Sequence, residues 1–199
     1  MDDKRKLTVT QGDITLLPLD GGAIVNPSNT GMILGSGVGE AITRRAGPFI
    51  QQTLHMKRST LDGNRLEPGE AVETEAGQLS AEYLIHVSIL GANEIDKRLI
   101  SNCILNAYTL ADDLEVGVLA FPPLGVDLAQ FPLQDFMDLF ARITVEELPR
   151  ADHLEHVILC CEDEHDFEDT AEYCQTHSED LPESIELEIS ESGLGASLM

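Results

Sequence analysis

Residues 26–39 read NPSNTGMILGSGVG. Two asparagines three apart, Asn26 and Asn29, follow the apolar run GGAIV and precede a glycine turn, Gly35-Ser36-Gly37-Val38-Gly39. Glycine permits positive φ and close approach of the backbone to a ligand. Successive N–H groups in such a turn form an anion nest, and the helix-like AITRRAG that follows adds the partial positive charge of a helix start. A phosphate or diphosphate is the natural guest. The spacing is neither GxGxxG nor the GxxxxGKS of a P-loop, so by itself the turn fits tight helix-on-sheet packing equally well. Asparagine offers donors and acceptors suited to the vicinal hydroxyls of a sugar, and it also satisfies loop backbone locally. Upstream, Gly12-Asp13-Ile14-Thr15 ends an alternating segment. A buried Asp13 there suits an exocyclic amine such as adenine's, or is an ordinary turn aspartate.

These residues need a scaffold, and the hydropathy pattern supplies one. LTVTQ (7–11) alternates as a strand, and GAIVN (22–26) reads as a buried one. The spacing predicts helices over 40–46 and just beyond Gly47-Pro48, with a loop over STLDGNRLEPG. Two strands are expected at 70–77 and 83–90, then a helix over 95–114 with Ile95, Leu99, Cys103, Ala107 and Leu110 on one face. GVLAF (117–121) is a buried strand leading into PPLGVDLAQFP; a helix over 133–148, the strand HVILCC (156–161) and a weaker helix at about 164–177 follow. Strands alternating with helices indicate a three-layer α/β/α domain on a largely parallel sheet. Ligands in such folds sit at the C-terminal ends of strands, which places loops 27–39 and 122–132 on one rim. Residues 1–177 are expected to form the domain and 178–199 an acidic tail, although IELEI alternates as a strand would.

The chain has 199 residues, with 36 acids against 12 bases and a net charge of −24. After Arg150 there is no Lys or Arg, while fifteen Asp and Glu follow. This surface repels nucleic-acid phosphates and anionic membranes. It suits either a highly solvated protein, as in a salt-rich cytoplasm, or an acidic segment docking on a basic partner. No run of about 18 apolar residues occurs, and MDDKRKLTVTQ is not of signal-peptide type, so a cytoplasmic protein is expected. Cys103, Cys160, Cys161 and Cys174 lack metal-ligand spacing and read as buried small hydrophobes. No metal or cofactor is expected.

Taken in order, GDIT, AIVNPSN, the glycine turn into AITRRAG, YLIHVSI and LAFPPLG…FP resemble the macrodomain family over roughly residues 7–165. The resemblance implies a three-layer α/β/α fold with a central mixed, mostly parallel sheet, and a cleft for ADP-ribose or ADP-ribosyl groups. It implies that Asp13 holds the adenine amine beside the Ile14 backbone. Asn29 would meet the distal ribose while Asn26 braces that loop. Gly35, Ser36, Gly37 and Val38 would wrap the diphosphate through backbone N–H groups, and Gly125, Val126, Asp127, Leu128 and Ala129 would lie across its other side. Phe167 is a candidate ring near the adenine, and His86 a satisfied core histidine.

Two departures from the family pattern bear on chemistry. Hydrolytic members that remove mono-ADP-ribose often carry an acid ten residues after the second asparagine; that position is Gly39 here. Glu40 is one step on, turned by about 100° at a helix start. The Gly-x-Gly-x-Gly run of the later loop is Gly125-Val126-Asp127-Leu128-Ala129. If Asp127 and Ala129 needed positive φ, each would cost about 1–2 kcal/mol unless the loop is rebuilt. Asp127 also loosely matches a loop acid that other members pair with a lysine for hydrolysis. The implied partner is ADP-ribose or an ADP-ribosylated substrate. The residues leave three functions open: binding with little or no hydrolysis, with catalytic residues unassigned apart from Asn29 if hydrolytic; an ADP-ribosyl hydrolase, O-acetyl-ADP-ribose deacetylase or ADP-ribose 1″-phosphatase; or a degenerate cleft serving as a protein-interaction module. Oligomeric state is not readable.

Overall fold

The computed structural model describes residues 4–35, 37–91 and 95–190. Seven strands form one sheet in the order β3-β4-β2-β5-β6-β1-β7. They are β1 (Arg5–Gln11), β2 (Ala23–Asn29), β3 (Ala71–Glu75), β4 (Tyr83–Leu90), β5 (Val118–Phe121), β6 (His156–Cys161) and β7 (Ile185–Ser190). Only β3 runs antiparallel, against β4; every other pairing is parallel. The helices are α1 (Val38–Arg45), α2 (Ile50–Ser59), α3 (Lys97–Asp113), the short α4 (Val126–Ala129), α5 (Leu133–Glu147) and α6 (Glu164–Thr176).

Apolar strand residues on both faces make this a three-layer structure, since a parallel sheet must be covered on both sides. Val25, Val87, Phe121 and Leu159 pack under α3, α5 and α6. Their neighbours Ile24, Leu84, Ala120 and Ile158 pack under α1 and α2 with Ile42, Ile50 and Leu54. The alternation follows from the two-residue period of a strand. Phe121 closes β5 with its ring 5.5 Å from Tyr108 and 5.4 Å from Phe140, centroid to centroid. A fully buried phenylalanine contributes about 1.5–3 kcal/mol, so the strand end that launches the 122–132 loop is firmly held.

Helix α3 starts where Asp96 accepts a hydrogen bond from Leu99 N–H at 2.8 Å, an N-cap of the kind that stabilises a first turn by about 1 kcal/mol. Its buried seam holds Leu99, Cys103 and Ala107 as expected. The seam centre is rotated to include Ile100, Ile104, Tyr108 and Ala111, leaving Leu110 and Ile95 half-buried. All four cysteines are buried free thiols.

The acidic tail expected from residue 178 is corrected over 185–190. This segment is β7, paired in parallel with β1 from Arg5↔Ile185 to Thr10↔Ser190. Ile185 is buried, and Lys6 pairs with Glu188 across the two strands. An uncovered β1 edge would present a row of unpaired backbone groups, and IELEIS satisfies them despite its charge.

Candidate functional site

The C-terminal ends of β1, β2, β4 and β5 converge on one rim, and two backbone devices face each other there. The first is the turn into α1. Gly37 is its N-cap at φ 58°, ψ −133°, a conformation essentially confined to glycine. Val38 and Gly39 open the helix, and the first N–H groups of a helix have no acceptor within it. The second is the loop after β5. Gly125 sits at φ 81°, and its carbonyl accepts from Ala129 N–H at 3.1 Å and Phe131 N–H at 3.0 Å. That closes residues 126–129 into one helical turn ending at Gln130, φ 53°. Neither Asp127 nor Ala129 has positive φ. The strain expected of the two glycine replacements does not arise, because the loop is rebuilt as α4.

Between these devices lies a narrow cleft. Gly37 and Val38 form one wall; Pro122, Pro123, Gly125 and Asp127 form the other; Pro27 of β2 and Ile89 of β4 also line it. Its volume is about 30 Å³, room for a water or two. Pro27, Ile89, Pro122 and Pro123 were not singled out from the sequence. Their signal is positional, lying where parallel strands end.

The other expected residues take distinct places. Asn26 is 1% exposed, and its amide Nδ2 donates to His86 Nδ1 at 3.0 Å. His86 Nε2 meets Thr74 Oγ1 at 2.8 Å. The line Thr74–His86–Asn26 thus ties β3 and β4 to β2 beneath the cleft. Burial drives the His86 pKa down to about 4, with Glu73 opposing and Lys57 reinforcing. His86 is the satisfied core histidine expected. The bracing role expected of Asn26 falls instead to Asn29. Asn29 Oδ1 accepts from Gly31 N–H at 3.0 Å and Ile33 N–H at 3.2 Å, and its Nδ2 donates to Ile33 O at 2.7 Å. An asparagine at a strand end meets three backbone groups of its own loop this way; one amide hydrogen remains for a ligand.

Asp13 Oδ1 accepts from the Thr15 N–H at 2.9 Å and from the Thr15 hydroxyl, and Oδ2 accepts from Arg45 Nε at 3.2 Å. Burial would raise the Asp13 pKa, but the Thr15 bonds and Arg45 outweigh it and hold the carboxyl below its usual range. The Arg45 link joins the β1 end to α1, and Oδ2 keeps acceptor capacity for an amine. Ile14 begins a short 3-10 turn beside Asp13, its side chain buried. Gly35 is exposed on the turn, and Val126 is half-buried against the core; Ser36 lies outside the described residues. Phe167 is corrected: at 6% exposure it belongs to the α3–α5–α6 core and presents no open ring.

Glu40, Lys6, Lys57 and Lys97 are each paired with another side chain. Glu40 Oε1 accepts from Arg44 at 3.0 Å on the exposed side of α1. Gly39 is buried against Leu34. Lys57 pairs with Glu73, Lys6 with Glu188, and Lys97 with Asp135 at 2.8 Å. None of these three is the partner that a lysine–Asp127 hydrolase site needs.

The Macro domain family model matches residues 25–140. A Macro domain-containing protein of Streptomyces coelicolor is 37% identical over 142 residues, covering 70% of this chain and 80% of that protein. A protein of Cronobacter sakazakii named O-acetyl-ADP-ribose deacetylase is 29% identical over 165 residues, covering 81% and 89%. Among solved structures, a mutant Oceanobacillus iheyensis macrodomain with ADPR superposes with a TM-score of 0.77 at 25% identity, covering 86% of this chain and 92% of that one. The Trypanosoma brucei macrodomain in complex with ADP-ribose gives 0.74 at 26% identity, covering 85% and 68%. With its strand-end turns, its three layers and these matches, the chain belongs to the Macro domain family.

Proposed function

We propose that this protein binds ADP-ribose or ADP-ribosyl groups in the cleft between the α1 turn and α4, with little or no hydrolysis. The observation that carries this reading is the pairing of two glycine-set devices, Gly37 and Gly125, across one cleft at the ends of parallel strands. The unpaired N–H groups at the start of α1 suit a diphosphate. Asp13 suits the adenine amine, and the remaining Asn29 amide hydrogen suits a ribose hydroxyl. The solved relatives that hold ADPR and ADP-ribose support the same ligand for this chain.

Weak turnover is supported by where the titratable groups are. A hydrolytic water needs a base or metal to activate it. Gly39 occupies the position of the hydrolytic acid, Glu40 is paired with Arg44, and both ring nitrogens of His86 are engaged. The second reading, hydrolysis of O-acetyl-ADP-ribose, is favoured by the relative of that name. It would rely on Asn29 to orient water and on the substrate's own hydroxyls. Calorimetric titration with ADP-ribose decides the first reading: micromolar binding is expected. Absence of binding up to about 1 mM, a free energy weaker than about −4 kcal/mol, at both low and molar salt would overturn it. Incubation of the same sample with O-acetyl-ADP-ribose decides between binding and turnover.

A further inference from the structure

Beyond Asn29 the chain crosses residues 30–34 on its way to the α1 turn. Met32 sits there at φ 51° while fully buried. Few side chains take that left-handed conformation, and it persists only where the surroundings over-determine it. Asn29 fastens the segment from the β2 side: its Oδ1 accepts from Gly31 and Ile33 N–H, its carbonyl accepts from Met32 N–H at 2.9 Å, and its Nδ2 donates to Ile33 O. Leu66 N–H donates to Thr30 O at 3.0 Å. Three further backbone groups are met from α2. Arg58 Nη1 donates to Gly31 O at 2.9 Å. Gln51 Nε2 donates to Met32 O at 3.1 Å, and Gln51 Oε1 accepts from Leu34 N–H at 2.9 Å. Gln51 and Arg58 are seven residues apart, so one face of α2 carries both. Neither was singled out from the sequence.

Building on the ADP-ribose reading, we propose that Gln51 is a positioning residue for the ligand site, acting through the 30–34 segment. Gln51 is not among the described residues lining the cleft. Its amide bonds on both sides of Ile33, so the backbone between Met32 and Leu34 turns only by breaking one of the two bonds. At one end this holds the strained Met32, whose neighbours Gly31 and Ile33 are the groups that fix the Asn29 amide. At the other it holds Leu34, which lies so close to Gly39 that a Cβ there would be 3.6 Å from Leu34 Cα. Gly39 belongs to the first turn of α1, the turn whose Gly37 and Val38 line the cleft. Gln51 thus keeps the free Asn29 amide hydrogen and the α1 donors in one fixed arrangement. An amide suits this role because it offers a donor and an acceptor on one planar group. Methionine has similar length and helix propensity and offers no donor. An intramolecular hydrogen bond shifts an equilibrium by roughly twofold to tenfold, and apparent affinity falls with the fraction of molecules in the competent conformation. Losing both Gln51 bonds, with Met32 left in strain, should weaken ADP-ribose binding by about tenfold.

The test is calorimetric titration of the wild type and Gln51→Met with ADP-ribose, at a temperature where thermal melts show both to be folded, together with residue-level amide exchange. Gln51→Met should bind about tenfold more weakly. Its Leu34 amide should exchange faster than in the wild type while the amides of β5 keep their protection. Saturating ADP-ribose should restore much of the lost Leu34 protection, because a ligand that prefers the ordered segment draws the population toward it. Gln51→Ala, at the top of the helix-propensity scale, gives the same readings should Gln51→Met fail to fold. A merely structural Gln51 would lower Tm and leave the affinity of the folded protein in place. Wild-type affinity in the variant, unchanged Leu34 exchange, or Leu34 exchange indifferent to ligand overturns the positioning role while leaving the ADP-ribose reading intact. A wild type that binds no ADP-ribose up to about 1 mM overturns that reading and the role of Gln51 with it.

Discussion

The substitution Ala129→Gly tests the rebuilt loop by the sign of its effect. If residues 125–129 kept the glycine-rich conformation of the family pattern, Ala129 would sit at positive φ and restoring glycine would relieve about 1–2 kcal/mol of strain. In this structure Ala129 ends the helical turn α4, with its N–H donated to Gly125 O at 3.1 Å, and positive φ falls at Gly125 and Gln130 instead. Glycine in a helical position costs about 0.5–1 kcal/mol relative to alanine. The variant should therefore be destabilised, with Tm lower by roughly 1–4 °C for a domain of this size. Thermal melts or urea titrations read by circular dichroism, run in molar salt to quiet the surface charge, would measure it. A variant more stable than the wild type would refute the helical turn and restore the glycine-loop picture.

Other perturbations probe the remaining parts. Gly37→Ala forces an L side chain into a glycine-only conformation, a strain of about 1–3 kcal/mol; the first turn of α1 should shift and ADP-ribose affinity fall about tenfold or more in titration. His86 is neutral when folded, its pKa lowered by burial to about 4, against about 6.5 unfolded. Stability attributable to it is thus full above pH 6.5 and lost as pH falls toward 4, by on the order of 3 kcal/mol. Denaturant midpoints of His86→Gln should show a flatter slope in that window than the wild type. The slope left over includes the share of His156, also lowered to about 4 by burial and Lys6, with Glu188 opposing. Truncation after Ser184 removes β7, so β1 amides that face it should exchange with solvent much faster, and unchanged protection would mean that β7 is not part of the sheet in solution.

The parts legible in the sequence were those whose physics is local. Strand ends, glycine turns and caps follow from neighbours a few residues away, which is why Asp13 and Gly37 came forward from the residues themselves, while Gly125 came forward through the family resemblance. The parts that were not legible depend on who meets whom across the sheet. Asn26 and Asn29 are the same residue type three apart, yet one is buried because β4 brings His86 against it, and the other is free to wrap its own loop. Charge hid β7: IELEIS alternates as a strand should, but its glutamates outweighed the pattern until β1 supplied Lys6 and an open edge. Asp127 and Ala129 looked like faults in a glycine motif because the motif fixed attention on residues 125–129. The departure is answered at Gln130, which takes the left-handed conformation so that Asp127 and Ala129 need not. A loop that moves its positive φ by one residue past a lost glycine is free to carry a side chain where the family has none. In this chain that side chain is the Asp127 carboxylate, which lines the cleft together with Gly37 and Val38, so a change that reads as decay of the motif leaves the loop folded and its helical turn intact.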